Sequence, residues 1–285
     1  MADAAISVRE LRKRYGDYEA VRGISFDVGR GEVFGLLGPN GAGKTTTVEI
    51  LEGYRERTGG EVSVLGHDPA GGERRLKERI GIVLQGSAFY PNATVLEAVT
   101  QFAKYYPHPR DASEIVQLVG LEEKADARLK SLSGGQRRRL DLALALVGDP
   151  EVIFLDEPTT GFDPAARRSA WKVIEALKEL GKTVLLTTHY LDEAQSLSDR
   201  VAIIKDGQIV AEGPPSELSP ESARYRVAYN ENGHRVELET EEPTELLHRL
   251  TSEALGRGER LEGLSVSRPT LEDIYLELTA GEEPE

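Results

Sequence analysis

The chain contains no cysteine, which excludes disulfide staples and thiolate metal centres and fits a reducing compartment. Long apolar runs are missing too. The longest uninterrupted one, Leu142 to Val147, is far short of the ~20 residues a membrane-spanning helix needs. The start, Met1-Ala2-Asp3-Ala4-Ala5, has neither a basic nor an apolar region, so no signal peptide is expected. Together these features predict a chain with no direct membrane insertion. Positive charge is short as well: 35 Lys and Arg stand against 49 Asp and Glu, for a net charge of −14. Phosphate backbones and anionic lipid call for a basic face, so neither nucleic acid nor a bare lipid surface is expected as the main partner. Lysine is absent after Lys205, and residues 221–285 carry 7 Arg against 16 Asp or Glu, so the acidity concentrates in the tail. At 285 residues the chain suits one large domain or two ordinary ones, with a core that needs no staples.

What is present is an alternation of short β-like runs with helical ones up to about residue 212, the mark of an α/β layered fold. Candidate strands are Ile24–Val28, Val33–Leu37, Val62–Leu65, Ile80–Leu84, Val152–Leu155, Thr183–Thr187, Val201–Ile204 and Gln208–Glu212. Lys205-Asp206-Gly207 reads as a hairpin turn between the last two, so an antiparallel element accompanies the parallel ones. Thr94 to Gly148 reads as mostly helical, an insertion within the first domain. Composition changes near Pro214-Pro215. Beyond it, Arg224–Tyr229 and Arg235–Glu239 alternate like a hairpin, and Leu246, Leu247 and Leu250 recur at helical spacing. A short strand, Leu264–Val266, and a helix, Leu271–Leu278, are expected to follow. This regular periodicity predicts a small folded α+β module rather than an acidic disordered tail.

Gly38-Pro39-Asn40-Gly41-Ala42-Gly43-Lys44-Thr45 fits the pattern G-x-x-x-x-G-K-[ST]. It follows the apolar run Val33–Leu37 and precedes a helical stretch from Thr45 to Tyr54, which includes Thr46. Strand, glycine-rich turn and helix, in that order, form the context a phosphate-binding loop requires. The glycines let the backbone wrap an anion with N–H groups pointing inward, and the helix start adds its positive dipole end. Lys44 would reach the β- and γ-phosphates, and the Thr45 hydroxyl would hold Mg²⁺.

Two further segments narrow the chemistry. Val152-Ile153-Phe154-Leu155-Asp156-Glu157 is an apolar strand ending in two adjacent carboxylates. Asp156 would join the Mg²⁺ shell, and Glu157, turned into the site at the strand's end, would polarise a water for attack on the γ-phosphate. In Leu132-Ser133-Gly134-Gly135-Gln136, Ser133 can cap a helix and the two glycines leave N–H groups free. The helix that follows, Arg139 to Val147, is apolar on most sides and so reads as buried. Arg137, Arg138 and Arg139 crowd its positive end, where cations are unfavourable by roughly 0.3–1 kcal/mol each. Acidic side chains nearby are expected to compensate at least two of them. A second anion-binding helix end makes sense if it closes over a nucleotide held by another copy of the chain.

With these three segments the chain resembles the nucleotide-binding subunit of an ABC transporter. Leu132–Gln136 matches that family's signature motif, Gly38–Thr45 its Walker A motif and Val152–Glu157 its Walker B motif. The resemblance implies a P-loop NTPase core of α/β class with an antiparallel β subdomain and a helical insertion. It places an ATP-binding domain at residues 1–215, the helical part at about 87–148, and a small C-terminal accessory domain at 221–285. It also implies roles for single residues. Tyr15 resembles the aromatic that stacks on adenine. Gln85 resembles the glutamine that senses Mg²⁺ and borders the transporter-docking groove. His189 resembles the switch histidine that contacts the γ-phosphate. Pro158-Thr159-Thr160-Gly161-Phe162-Asp163 resembles the loop that passes between subunits; Asp163 matches, while Phe162 stands where the family usually has Leu. Pro269 to Thr279, and Ala88-Phe89-Tyr90-Pro91-Asn92, resemble exporter ATPases of the daunorubicin-resistance type, although Ala280 interrupts the usual ending.

The expectation is an ATP-hydrolysing motor with ATP and Mg²⁺ as its ligands. Two copies would sandwich ATP: Lys44 and Thr45 of one would face Ser133, Gly134, Gly135 and Gln136 of the other. A separate multi-span membrane permease would use the stroke, with the motor peripheral on the inner face of the cell membrane. Export of a drug-like or other hydrophobic compound is favoured by the tail. Lipid, sugar or ion transport stays open, as do a regulatory nucleotide switch and a soluble ATPase acting on nucleic acid or ribosomes.

Overall fold

Two twelve-residue strands open the chain, β1 (Ala4–Tyr15) and β2 (Tyr18–Gly29), paired antiparallel. The computed structural model describes residues 4–83, 91–218, 225–231, 234–258 and 260–267. β1 lies outside the strands expected from the sequence. Its buried residues Ile6, Val8 and Leu11 are spaced by two and then by three. A bulge at Glu10, with φ of 48°, breaks the alternation that would have revealed it. β4 (Gly59–Val64) pairs on the other edge of β1 and completes a three-stranded antiparallel sheet in the order β2-β1-β4.

The second sheet has six strands. β3 (Val33–Leu37) lies between β7 (Thr183–Thr188) and β8 (Arg200–Lys205), both parallel to it. β6 (Val152–Asp156) follows β7, and β5 (Ile80–Val83) follows β6, again parallel. On the far side β9 (Gln208–Gly213) adjoins β8 through Asp206-Gly207. Both turn residues have positive φ, 50° and 76°, as a two-residue hairpin turn demands.

Alternation along these strands divides the core in two. Val152 and Phe154 of β6, Phe34 and Leu36 of β3, and Leu185 of β7 pack with β1, β2 and α1 (Lys44–Leu51). Ile153, Leu155, Val33, Val184 and Leu186 face the opposite way. They meet α3 (Val95–Ala103), α4 (Ala112–Leu118), α5 (Gly134–Leu146), α6 (Pro164–Glu179) and α7 (Leu191–Leu197). A sheet covered on both faces explains why its strands read as continuous apolar runs. Each fully buried Leu, Ile or Phe contributes roughly 1.5–3 kcal/mol. A one-turn helix, α2 (Arg74–Lys77), precedes β5.

α1 is shorter than expected, because the chain turns at Gly53 with φ of 79°. α5 starts five residues before the expected Arg139, because Ser133 caps it. The segment read as mostly helical holds α3, α4 and α5.

The chain divides into two compact units, Met1–Glu212 and Gly213–Glu285. In the second, β10 (Tyr225–Glu231) pairs antiparallel with β11 (His234–Thr240) on one edge and β12 (Glu262–Ser267) on the other. α8 (Pro243–Gly256) supplies buried Leu246 and Ala254, and β10 supplies buried Val227 and Tyr229. The helix expected at Leu271–Leu278 lies outside the described residues. Among the described residues no helix is long and apolar enough to cross a membrane.

Candidate active site

The loop between β3 and α1 is shaped by glycine at two points. A Cβ on Gly38 would lie 2.3 Å from the Ile204 carbonyl oxygen, and one on Gly43 would lie 2.5 Å from that of Ala20. Gly43 also has φ of 104°, a conformation that L side chains rarely adopt. The backbone therefore closes on itself, and α1 begins with no side-chain cap on its first turn. Such an uncapped N-terminus leaves backbone N–H groups unpartnered within the helix, the geometry that suits an anion. Lys44 is buried and folds back over the loop: its Nζ donates to the carbonyls of Gly38 at 2.7 Å and Pro39 at 3.1 Å. Burial lowers its pKa, opposed by the charges of Glu157 and Asp156. Pro39 and Thr46 are half-buried, Ala42 is buried, and Asn40, Gly41 and Thr45 are exposed.

Strand alternation puts Asp156 on the face of β6 shared by Val152 and Phe154, the face that looks at α1. Thr45 Oγ1 donates to Asp156 Oδ2 at 3.5 Å. On the neighbouring strand Thr187 stands in register with Asp156, and its hydroxyl donates to Oδ1 at 2.5 Å. The same Thr187 oxygen accepts from the Glu157 backbone N–H at 3.0 Å. Glu157 takes φ of 46°, a strained conformation for a residue with a Cβ, of order 1–3 kcal/mol. The turn aims its carboxylate at His189: Oε1 lies 3.2 Å from His189 Nδ1, and Oε2 accepts from Thr160 Oγ1 at 3.1 Å. With Glu157 ionised, Nδ1 of His189 is the donor in this contact, since a carboxylate can only accept.

α5 starts in a reciprocal capping box. Ser133 Oγ accepts from the Gln136 N–H at 3.3 Å, and Gln136 Oε1 accepts from the Ser133 N–H at 3.0 Å. This leaves the Ser133 hydroxyl proton free to donate outward. Gly134 and Gly135 form the first turn. A groove of about 900 Å³ runs from Ser133, Gly135 and Gln136 past Glu157 to Phe162 and Asp163. Asp163 caps α6, its Oδ1 accepting from the N–H groups of Ala165 at 2.9 Å and Ala166 at 2.8 Å.

The three arginines at the start of α5 all reach backbone carbonyls. Arg139 donates to Gly120 O at 2.8 Å and Arg137 to Lys130 O at 3.5 Å. Arg138 reaches Asp156 O at 2.9 Å, Pro158 O at 3.3 Å and Glu157 O at 3.4 Å. For Arg138 acidic groups contribute as well, as expected, Asp141 and Asp156 opposing the lowering of its pKa by burial. Carbonyls left over at turns carry enough negative charge for the task.

The structure thus gathers Lys44, Thr45, Asp156, Glu157 and His189 at one end of adjacent parallel strands. Tyr15 stands at the end of β1, 40 % exposed, with Lys13 Nζ 5.1 Å and Arg55 Cζ 5.4 Å from its ring centre. Gln85, like Ala88, Phe89 and Tyr90, lies outside the described residues, as does Pro269 to Thr279. Sequence reasoning missed Thr187, Thr160 and Arg138. For Thr187 a signal existed: a hydroxyl at the end of an apolar strand, two residues before His189, has to find a partner when buried. Among the described residues no cluster of three or more His, Cys, Asp or Glu could cage a metal ion. Asp156 with a threonine hydroxyl nevertheless suits Mg²⁺, which takes one or two carboxylates and completes its shell with substrate phosphates.

The family model for ABC transporters matches residues 21–160. A Nod factor export ATP-binding protein I of Burkholderia orbicola is 44 % identical, covering 76 % of this chain and 73 % of the relative. A protein of the same name from Burkholderia thailandensis is 39 % identical and covers 99 % of both chains. A solved dimeric structure of an ATP-binding cassette, in a post-hydrolysis state bound to ADP and Pi, is 27 % identical. It superimposes with a TM-score of 0.65 over 73 % of this chain and 98 % of its own.

Proposed function

Because this chain belongs to the ABC transporter family of ATP-binding subunits, we propose that it is the motor of an exporter whose permease is a separate chain. Nucleotide binding and ATP hydrolysis come with the family. The reading of which residues do the work rests on one observation: Glu157, held in a strained turn, faces His189 on one side and is tied through Thr187 to Asp156 on the other.

In this reading the loop from Gly38 to Thr45 wraps the phosphates. Lys44 exchanges its two carbonyl partners for β- and γ-phosphate oxygens. Thr45 and Asp156, with Gln85, would hold Mg²⁺, which when bound would neutralise charge on the transferred phosphoryl group. Glu157 accepts the proton of the attacking water, and His189 holds the carboxylate in place through Nδ1. Tyr15 stacks on the adenine. Ser133, Gly134, Gly135 and Gln136 close from a second copy of the chain, and Asp163 lies at the same junction. Support for the second copy is the groove that carries the α5 end and Glu157 together, and the dimeric state of the related cassette.

Export is supported by the names of the two relatives, both Nod factor export proteins. The chain would sit on the inner face of the cell membrane through its permease, with a drug-like or other hydrophobic compound as cargo. Glu157→Gln tests the reading. The variant should bind ATP and dimerise while its hydrolysis rate falls by roughly 10²-fold or more. Hydrolysis at the parental rate would overturn it.

A further inference from the structure

α7 begins two residues after His189, and its third residue, Glu193, is fully buried. Its Oε1 accepts two hydrogen bonds, from Thr159 Oγ1 at 2.8 Å and from Trp171 Nε1 at 3.1 Å. The Thr188 hydroxyl lies against the same carboxyl. Thr159 stands two residues beyond Glu157, and Thr188 immediately precedes His189. One side chain therefore grips both segments that carry the Glu157–His189 contact. Trp171 fixes that grip to α6, whose N-cap is Asp163. One turn earlier on α6, Arg167 pairs with Asp192 at 3.0 Å and lies over the Tyr190 ring at 4.7 Å.

Glu193 Oε2 is buried with no hydrogen-bond partner. A buried carboxyl with an orphaned oxygen is a poor way to stabilise a fold, since an apolar side chain of similar size avoids the desolvation. What the carboxyl does supply is direction: donors from the segment after β6 and from α6 converge on one oxygen, with the end of β7 beside it.

We propose that Glu193 is a positioning residue, which through Thr159 and Thr188 sets the separation of Glu157 and His189 and passes movement of the 158–163 loop to His189. The inference rests on the catalytic reading given above.

The test is steady-state Mg-ATP hydrolysis by the full-length chain, with Thr159→Val, Thr159→Ser, Glu193→Gln and Glu157→Gln compared with the parent. Thr159→Val removes the hydroxyl at nearly constant volume. Its kcat should fall roughly tenfold or more, since misplacements near 1 Å are costly, while the KM for ATP stays within about twofold. Thr159→Ser and Glu193→Gln, which keep donor and acceptor, should recover most of the rate. Trp171 is the only tryptophan, so an unchanged emission maximum in Thr159→Val shows that the packing around it is intact. A parental kcat in Thr159→Val beside an inactive Glu157→Gln overturns this inference alone, and so does equal impairment of the Val and Ser variants. A parental rate in Glu157→Gln overturns the catalytic reading and this inference with it.

Discussion

Glu52 offers a sharp test of how this molecule handles a buried charge. It follows the last residue of α1 and is only 8 % exposed. Burial first, then the neighbouring charges of Asp156 and Glu49, push its pKa from 4.5 up to about 8. A helix C-terminus adds unfavourable dipole of the same sign. The folded protein therefore holds a proton here at neutral pH that the unfolded chain has released. In the window between the two values the native state binds more protons, so stability falls as pH rises through it. The contribution works out at about 1 kcal/mol of destabilisation at pH 5, growing to roughly 4–5 kcal/mol at pH 9. Glu52→Gln keeps shape and hydrogen bonding but cannot ionise. It should unfold within a few degrees of the parent at pH 5 and about 10 °C above it at pH 9, given ~2–4 °C per kcal/mol for chains of this size. Differential scanning calorimetry of both proteins at the two pH values reads this directly. An equal shift at both pH values, or a loss at pH 9, would refute the buried neutral carboxyl.

Three further outcomes are expected. Gly43→Ala forces a Cβ to 2.5 Å from Ala20 O at a φ of 104°; nucleotide binding, followed by equilibrium dialysis with labelled ATP, should become undetectable at concentrations that saturate the parent. Thr187→Val strips the hydroxyl that Asp156 Oδ1 and the Glu157 N–H share; the Mg²⁺ concentration for half-maximal ATPase should rise roughly 10–100-fold, as when an outer-shell partner is lost, and an unmoved requirement would exclude the role. Arg138→Met leaves the carbonyls of Asp156, Glu157 and Pro158 without this donor; kcat should drop while ATP binding in isothermal titration calorimetry stays near parental.

How much was legible follows from the range of each interaction. The strand runs Val33–Leu37 and Val152–Asp156, the loop from Gly38 to Thr45 and the Ser133 cap are written in consecutive residues. Their periods and turn chemistry act over a few positions, so the parallel sheet, the glycine-rich loop and both helix starts could be read directly. β1 escaped because its bulge at Glu10 breaks the period of two. The carbonyl partners of the three arginines of α5 escaped because carbonyls left over at turns cannot be seen in a list of side chains.

The sequence by itself determined which residue types are available for phosphate chemistry and on which local element each one sits. Only the tertiary structure decided that Thr187 stands opposite Asp156, that Glu157 turns toward His189, and that Glu193 joins Thr159 to Trp171. Those contacts span from 22 to 34 residues of chain. They exist because the sheet places β6 beside β7 and the apolar faces of α6 and α7 are buried on the same side of it. A strand order of that kind is fixed by the packing of the whole core, and no local pattern encodes it.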